Sequence, residues 1–99
     1  MSKLYTQFDN VFFEKTRLSI ITILYKEGKV SFKQLKERLG GSDGALYTHI
    51  EKLYKAGYLD KQKEIAGMQA QTVYRITAAG RKEFKAYLQF LEQMVLGGE

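Results

Sequence analysis

The sequence predicts an α+β fold, mainly helical, built as a single domain over residues 1–99. Three observations carry that reading. Apolar residues recur at helical spacing in successive stretches that are opened by a capping side chain or closed by glycine. Two β-prone runs follow one another ahead of the last of these stretches. The chain has 99 residues, 44% of them hydrophobic, which suffices for one core and not for two.

Taken in order, residues 3–12 set Leu4, Phe8 and Val11 at helical spacing over a short run, which fits a brief helix or a frayed lead-in. Residues 14–26 gather Leu18, Ile21, Leu24 and Tyr25 on one face, and Ile20 and Ile23 widen it so far that this helix should be central and buried. Gly28 ends it, and Lys29–Val30 is long enough for one short strand. Ser31 and Gln34 have the spacing of a capping box, so a helix starts there, with Leu35 and Leu39 inward. Gly40–Gly41 stops it, because glycine takes the positive φ of a tight exit. Ser42 is a second N-cap, with Asp43 favoured by the helix dipole in the first turn. The helix it opens, 43–56, buries the stripe Leu46, Ile50 and Leu53 and ends at Gly57. Strands are expected over 58–65 and 72–76, around a six-residue loop, 66–71. Thr77 caps a last helix, 78–96, whose stripe is Phe84, Leu88, Leu91 and Val95, with Tyr87 and Met94 beside it.

Composition excludes several chemistries. With no cysteine there is no disulfide, thiolate metal site, cysteine nucleophile or thiol redox sensor. A single histidine excludes a multi-histidine metal site within one chain, and no cofactor is expected. His49 has Ser42 and Asp43 near it in sequence, but sequence proximity does not make a triad, and no glycine-rich phosphate loop is present, so no enzyme is expected. No apolar run approaches the ~18 residues of a membrane span, and the N-terminus lacks the apolar stretch of a secretion signal. The expected location is the cytoplasm, in association with the nucleoid.

The formal net charge is +5, and the excess is concentrated: residues 26–63 hold nine basic side chains against five acidic ones. A polyanion contact is therefore sought there. Within that region two capped helices are joined only by Gly40, Gly41 and Ser42, a short connector that fits a sharply crossed helix-turn-helix pair over 31–57.

That order of elements resembles the winged helix-turn-helix domain of prokaryotic transcription regulators of the MarR and ArsR type. Arg17-Leu18-x-Ile20-Ile21-x-x-Leu24 is similar to the family's first core helix, and Val30-Ser31-Phe32-x-x-Leu35 to the start of its second. The run from Ser42-x-Gly44-Ala45-Leu46-Tyr47-Thr48-His49-Ile50 to Ala56-Gly57-Tyr58-Leu59 resembles its recognition helix entering the wing. Val73-Tyr74-x-Ile76-Thr77-x-x-Gly80 resembles the return strand and final cap. The resemblance covers about 14 to 96. It implies a wing over 58–76, a C-terminal dimerisation helix over 78–96 and double-stranded DNA as partner.

The resemblance also implies site residues. The N-terminal half of helix 43–56 enters the major groove. Gly44 and Ala45 are small enough for close backbone approach, and Ser42 with the helix N-terminus can hold a phosphate. Tyr47 and Thr48 are the expected base readers, by hydrogen bonds or by contact with a thymine methyl. Lys33 and Lys52 are expected phosphate ligands, while Glu51 repels phosphate. His49, between the buried and exposed faces, is read as a packing or backbone-bonding residue. The wing tip departs from the family by lacking an arginine; Gln69 and Gln71 remain as minor-groove donors, with Lys61, Lys63 and Arg75 on the strands supplying charge.

The terminal stretches carry more apolar surface than a small domain buries. Either the last helix folds back on its own core, or Leu4, Phe8, Phe12, Phe84, Tyr87, Leu88, Leu91, Met94 and Val95 form a symmetric homodimer interface, which is the expectation here. Such a dimer would place two recognition helices on a pseudo-palindromic operator and act as a repressor by occupancy. The competing reading is a winged helix used as a protein-interaction module without DNA. A small apolar effector would sit near Tyr5, Phe12, Phe13 and Tyr87, although nothing in the sequence calls for one.

Overall fold

The computed structural model describes residues 7–97. Four helices pack around a small antiparallel sheet: α1 (Lys15–Glu27), β1 (Lys29–Ser31), α2 (Phe32–Leu39), α3 (Asp43–Lys55), β2 (Leu59–Ala66), β3 (Gln69–Ile76) and α4 (Ala78–Leu96). The helix starts follow the side chains that the sequence offers. Ser31 Oγ accepts from Gln34 N while Gln34 Oε1 accepts from Ser31 N, completing the capping box. Ser42 Oγ accepts from Ala45 N, and Thr77 Oγ1 accepts from Gly80 N. Gly40 and Gly41 both adopt positive φ, at 71° and 76°, so the chain turns between α2 and α3 without strain. An ion pair at 2.7 Å between Lys36 and Asp43 closes the same corner.

The sheet order is β1-β3-β2, with Val30 opposite Tyr74 and Leu59 opposite Ile76. Its inner face joins the central core, where Ile20, Ile21 and Leu24 of α1 meet Leu35 of α2 and Leu46, Ile50 and Leu53 of α3. The breadth of the apolar face on α1 fits its central place, since it contacts α3, α4 and two strands.

Three expectations change. The described part of 3–12 is no helix: residues 10–12 form one 3-10 turn, capped by Asp9, whose carboxylate accepts from Val11 N and from the Tyr58 hydroxyl. Tertiary anchoring replaces helical periodicity here, because Phe8 and Phe12 are each drawn into the body of the molecule. The loop expected over 66–71 shrinks to Gly67–Met68, since Ala66 already pairs with Gln69. Of the two turn residues only Gly67 has positive φ, at 66°, the pattern of a type II′ hairpin. The third change concerns the apolar ends. Phe12 is 0% exposed and Phe84 4% exposed within a single chain, and Phe8 is buried against Phe13, Tyr87 and Phe90. These three are core residues of the monomer, not free interface residues, because the N-terminal strap folds over the first half of α4. Phe8 packs edge to face on Phe13 and Tyr87, two of the residues beside which a small apolar effector would have to sit. Leu4 and Tyr5 lie outside the described residues.

Gly57, Tyr58, Thr77 and Gly80 join three elements at one point. Thr77 N donates to the Tyr58 carbonyl at 3.0 Å, and Thr77 Oγ1 donates to the Gly57 carbonyl at 2.7 Å. The end of α3, the root of the wing and the start of α4 are thereby tied together.

Candidate nucleic-acid interface

With Leu46, Ile50 and Leu53 buried, the outer face of α3 carries Gly44, Ala45, Tyr47, Thr48 and Lys52 exposed to solvent. Tyr47 is 50% exposed. The Thr48 hydroxyl donates to the Gly44 carbonyl at 2.9 Å, one turn back. Its hydrogen is thus committed within the helix, leaving an oxygen lone pair and the methyl group to face a ligand.

Strand alternation divides the wing into two faces. Lys61 and Lys63 share the face of Leu59, which is the face turned toward α3; Tyr47, Lys61, Lys63, Thr72 and Tyr74 line one groove between helix and hairpin. A second groove, lined by Tyr47, Thr48, Glu51, Lys52 and Lys55, continues along α3. Tyr47 stands where the two meet. Lys33 and Gln71 line a different groove, with Lys29 and Glu64, on the opposite side of the sheet. Arg75, opposite Lys29 and Asp60 in register, belongs to that far face as well. Gln69 sits at the tip. The twelve expected contact residues therefore do not form one surface: Tyr47, Thr48, Lys52, Lys61 and Lys63 converge, and Lys33, Gln71 and Arg75 do not join them.

Glu51 is no bare negative charge on this surface. Lys61 Nζ donates to Glu51 Oε2 at 2.8 Å and lies 4.4 Å from the centre of the Tyr54 ring. The hydrogen bond to Glu51 holds the lysine pKa above its ordinary value. Sequence reasoning missed this pair, because it depends on β2 crossing the second half of α3. It also missed the partner of His49: Arg17 Nη1 donates to His49 Nδ1 at 2.9 Å, while Arg17 Nε donates to the Val11 carbonyl at 2.6 Å. A guanidinium only donates, so the bonded imidazole nitrogen accepts. His49 is occupied by internal bonding, in keeping with its position between the two faces of α3.

Among the described residues, no group of three or more His, Cys, Asp or Glu side chains is placed to hold a metal, and no helix is long and apolar enough to cross a membrane.

A crossed helix pair with a hairpin at its flank, presenting an exposed tyrosine, threonine and lysines on the second helix, defines a winged helix-turn-helix protein of the transcription-regulator class. The family described as the winged helix DNA-binding domain matches residues 16–95, and the chain belongs to it. Proteins of this class are regulators, not enzymes. The chain is 32% identical over 84 residues to an uncharacterized protein of Methanocaldococcus jannaschii, a match that covers 85% of this chain and 91% of the relative. A solved structure of a transcriptional regulator homologue from Pyrococcus horikoshii OT3 superimposes with a TM-score of 0.84 at 28% identity, covering 99% of this chain and 95% of that one. A MarR-family structure from Enterococcus faecalis V583 shares the fold, with a TM-score of 0.78 at 17% identity over 90% of this chain and 80% of that one.

Proposed function

We propose that the protein is a sequence-specific, double-stranded-DNA-binding repressor that works as a homodimer on a pseudo-palindromic operator in the cytoplasm. The whole chain acts as one domain, with helix-turn-helix 31–57, wing 58–76 and dimerisation helix 78–96. The observation that carries the reading is the convergence of Tyr47, Thr48 and Lys52 with Lys61 and Lys63 on one solvent face. In this reading Tyr47 and the Thr48 methyl meet base edges in the major groove, while Lys52 and Lys63 lie along phosphates. Gly44 and Ala45 let the backbone close on the duplex, and Ser42 at the start of α3 meets a phosphate. The pairing of Glu51 with Lys61 offsets the carboxylate that would repel DNA, and leaves Lys52 and Lys63 to meet phosphates. Lys33, Gln71 and Arg75 contact DNA only where it curves around the hairpin.

Dimerisation is assigned to the second half of α4. Leu88, Met94 and Val95 are exposed there, and Leu91 is half-buried. Two copies joined along this face present their α3 helices to one duplex.

Selection of duplexes from a random-sequence pool tests the reading, followed by titration at several salt concentrations. A dimer that neutralises roughly six to ten phosphates should lose ~10³–10⁵ in affinity between about 50 and about 200 mM salt. Lys52→Glu and Tyr47→Ala should bind the selected duplex more weakly. Affinity that does not vary with salt, or variants that bind like wild type, would leave the interaction-module reading in its place.

A further inference from the structure

The tip of the wing carries two apolar side chains that the fold does not use. Ile65 is 75% exposed and Met68 is fully exposed. A two-residue hairpin of this type needs glycine at its first central position, and Gly67 supplies it. The second position, Met68, has no requirement for an apolar group. Ile65 gains no packing either, because its cross-strand partner is Ala70 and both are exposed. Exposed apolar side chains on a strand end favour unwanted association, so their presence asks for a partner.

Charge on the hairpin indicates which partner. The β2 face that bears Ile65 also bears Lys63 and Lys61, the latter paired with Glu51 of α3, and no carboxylate of β2. The acids of β2, Asp60 and Glu64, are on the other face, where Glu64 is held 2.8 Å from Lys29. The basic face is the one that shares a groove with Tyr47 of α3. A polyanion lying along α3 and outward over the hairpin therefore passes Lys63 and arrives at Ile65 and Met68.

We propose that Ile65 and Met68 form an apolar wedge that enters the minor groove of the duplex held by α3, partly unstacks one base step there and bends the DNA. This inference rests on the DNA-binding reading above. The wedge selects for deformability rather than for hydrogen-bonding pattern. Its preferred target is a pyrimidine–purine step, TA or CA, where unstacking costs least. It gives the uncharged tip a way to discriminate between sequences without an arginine.

The test uses duplexes of about 30 base pairs, recovered by the wild-type protein from a random pool and labelled at their ends with a donor and an acceptor dye. Wild-type protein should raise energy transfer between the ends. The double variant Ile65→Ser/Met68→Ser should keep the native circular dichroism, bind about tenfold to a hundredfold more weakly, and lose that rise. Lys63→Gln should reduce the salt slope by about one while the bend persists. Energy transfer equal to wild type in the double variant overturns the wedge and leaves DNA binding standing. If no duplex is recovered at all, both the wedge and the DNA reading fall. A double variant that alters sedimentation of the free protein, with binding and bend intact, assigns the tip to a protein contact and overturns the wedge.

Discussion

Arg17 of α1 and His49 of α3 meet side chain to side chain, Nη1 to Nδ1 at 2.9 Å, directly behind the exposed face that carries Thr48. The same guanidinium holds the Val11 carbonyl, and Glu14 caps α1 through Arg17 N at 2.9 Å. One side chain thus ties α3 and the segment around Val11 together. Arg17→Met would strip the donor from two partly buried acceptors, and a loss of about 1–3 kcal/mol is expected. Urea denaturation checks this through a lowered midpoint at unchanged slope. Arg17→Lys should recover part of the loss, since an ammonium reaches one acceptor but lacks the planar fork for both. Equal midpoints for Arg17→Met and wild type would contradict this role.

Thr48 separates methyl contact from hydroxyl contact. Its hydroxyl hydrogen already goes to the Gly44 carbonyl. Thr48→Val, which keeps a methyl in place, should hold most of the affinity for a selected duplex. Thr48→Ser should lose about 1 kcal/mol or more. A gel-shift titration of both variants decides it; the reverse order would make the oxygen the reading atom.

Gly80 lies in the first turn of α4, where the wing root crosses it. A Cβ there would sit 2.5 Å from the Tyr58 carbonyl oxygen and 2.9 Å from Ile76 Cγ1. The first neighbour is backbone and cannot rotate aside. Gly80→Ala should cost about 1–3 kcal/mol despite the better helix propensity of alanine. A thermal melt reads the effect, and an unchanged or raised midpoint would show that the wing root can yield.

The half of α4 beyond the core tests assembly. Leu88→Glu puts a charge on the outward apolar face without touching the buried Phe84. Sedimentation should show a dimer for wild type and a monomer for the variant, with helical content unchanged. A wild-type monomer at micromolar concentration would remove the assembly proposed for this face.

Tyr58 predicts an alkaline effect. Burial raises its pKa, and the hydrogen bond to Asp9 and the negative charge of Asp9 and Glu83 raise it further, well above the ordinary 10.0. The folded state therefore holds this proton more tightly than the unfolded chain does. The resulting stability is complete below pH 10.0 and is lost as pH rises through the higher folded value. Tyr58→Phe should be less stable than wild type near neutrality by about 1 kcal/mol, and the gap should narrow at alkaline pH. Tyr74, also raised by burial, is common to both proteins and drops out of the comparison. A gap that stays constant through the alkaline range would refute the linkage.

The helices were legible in the sequence because local chemistry governs them. Ser31, Ser42 and Thr77 announce their own starts, and the stripe Leu46, Ile50, Leu53 names the inward face of α3. Legibility fails where partners come from afar. The strap at Asp9 is held by Tyr58 and Glu83, which no helical period can reveal. Around Gly67 the outer hairpin buries nothing, so no alternation marked how far its strands extend. Phe12 and Phe84 read as surplus apolar surface because only the fold of the N-terminal segment brings them together, 6.3 Å between ring centres. For the interface, exposure on α3 followed from the wheel, whereas the division of Lys61 and Lys63 from Gln71 and Arg75 needed the strand register.

The junction of Gly57, Tyr58, Thr77 and Gly80 has one more consequence. The end of α3, the hairpin and the start of α4 spring from a single rivet, with backbone packed on backbone. In the proposed dimer, the spacing between the two copies would then decide whether a duplex of fixed pitch fits both α3 helices at once.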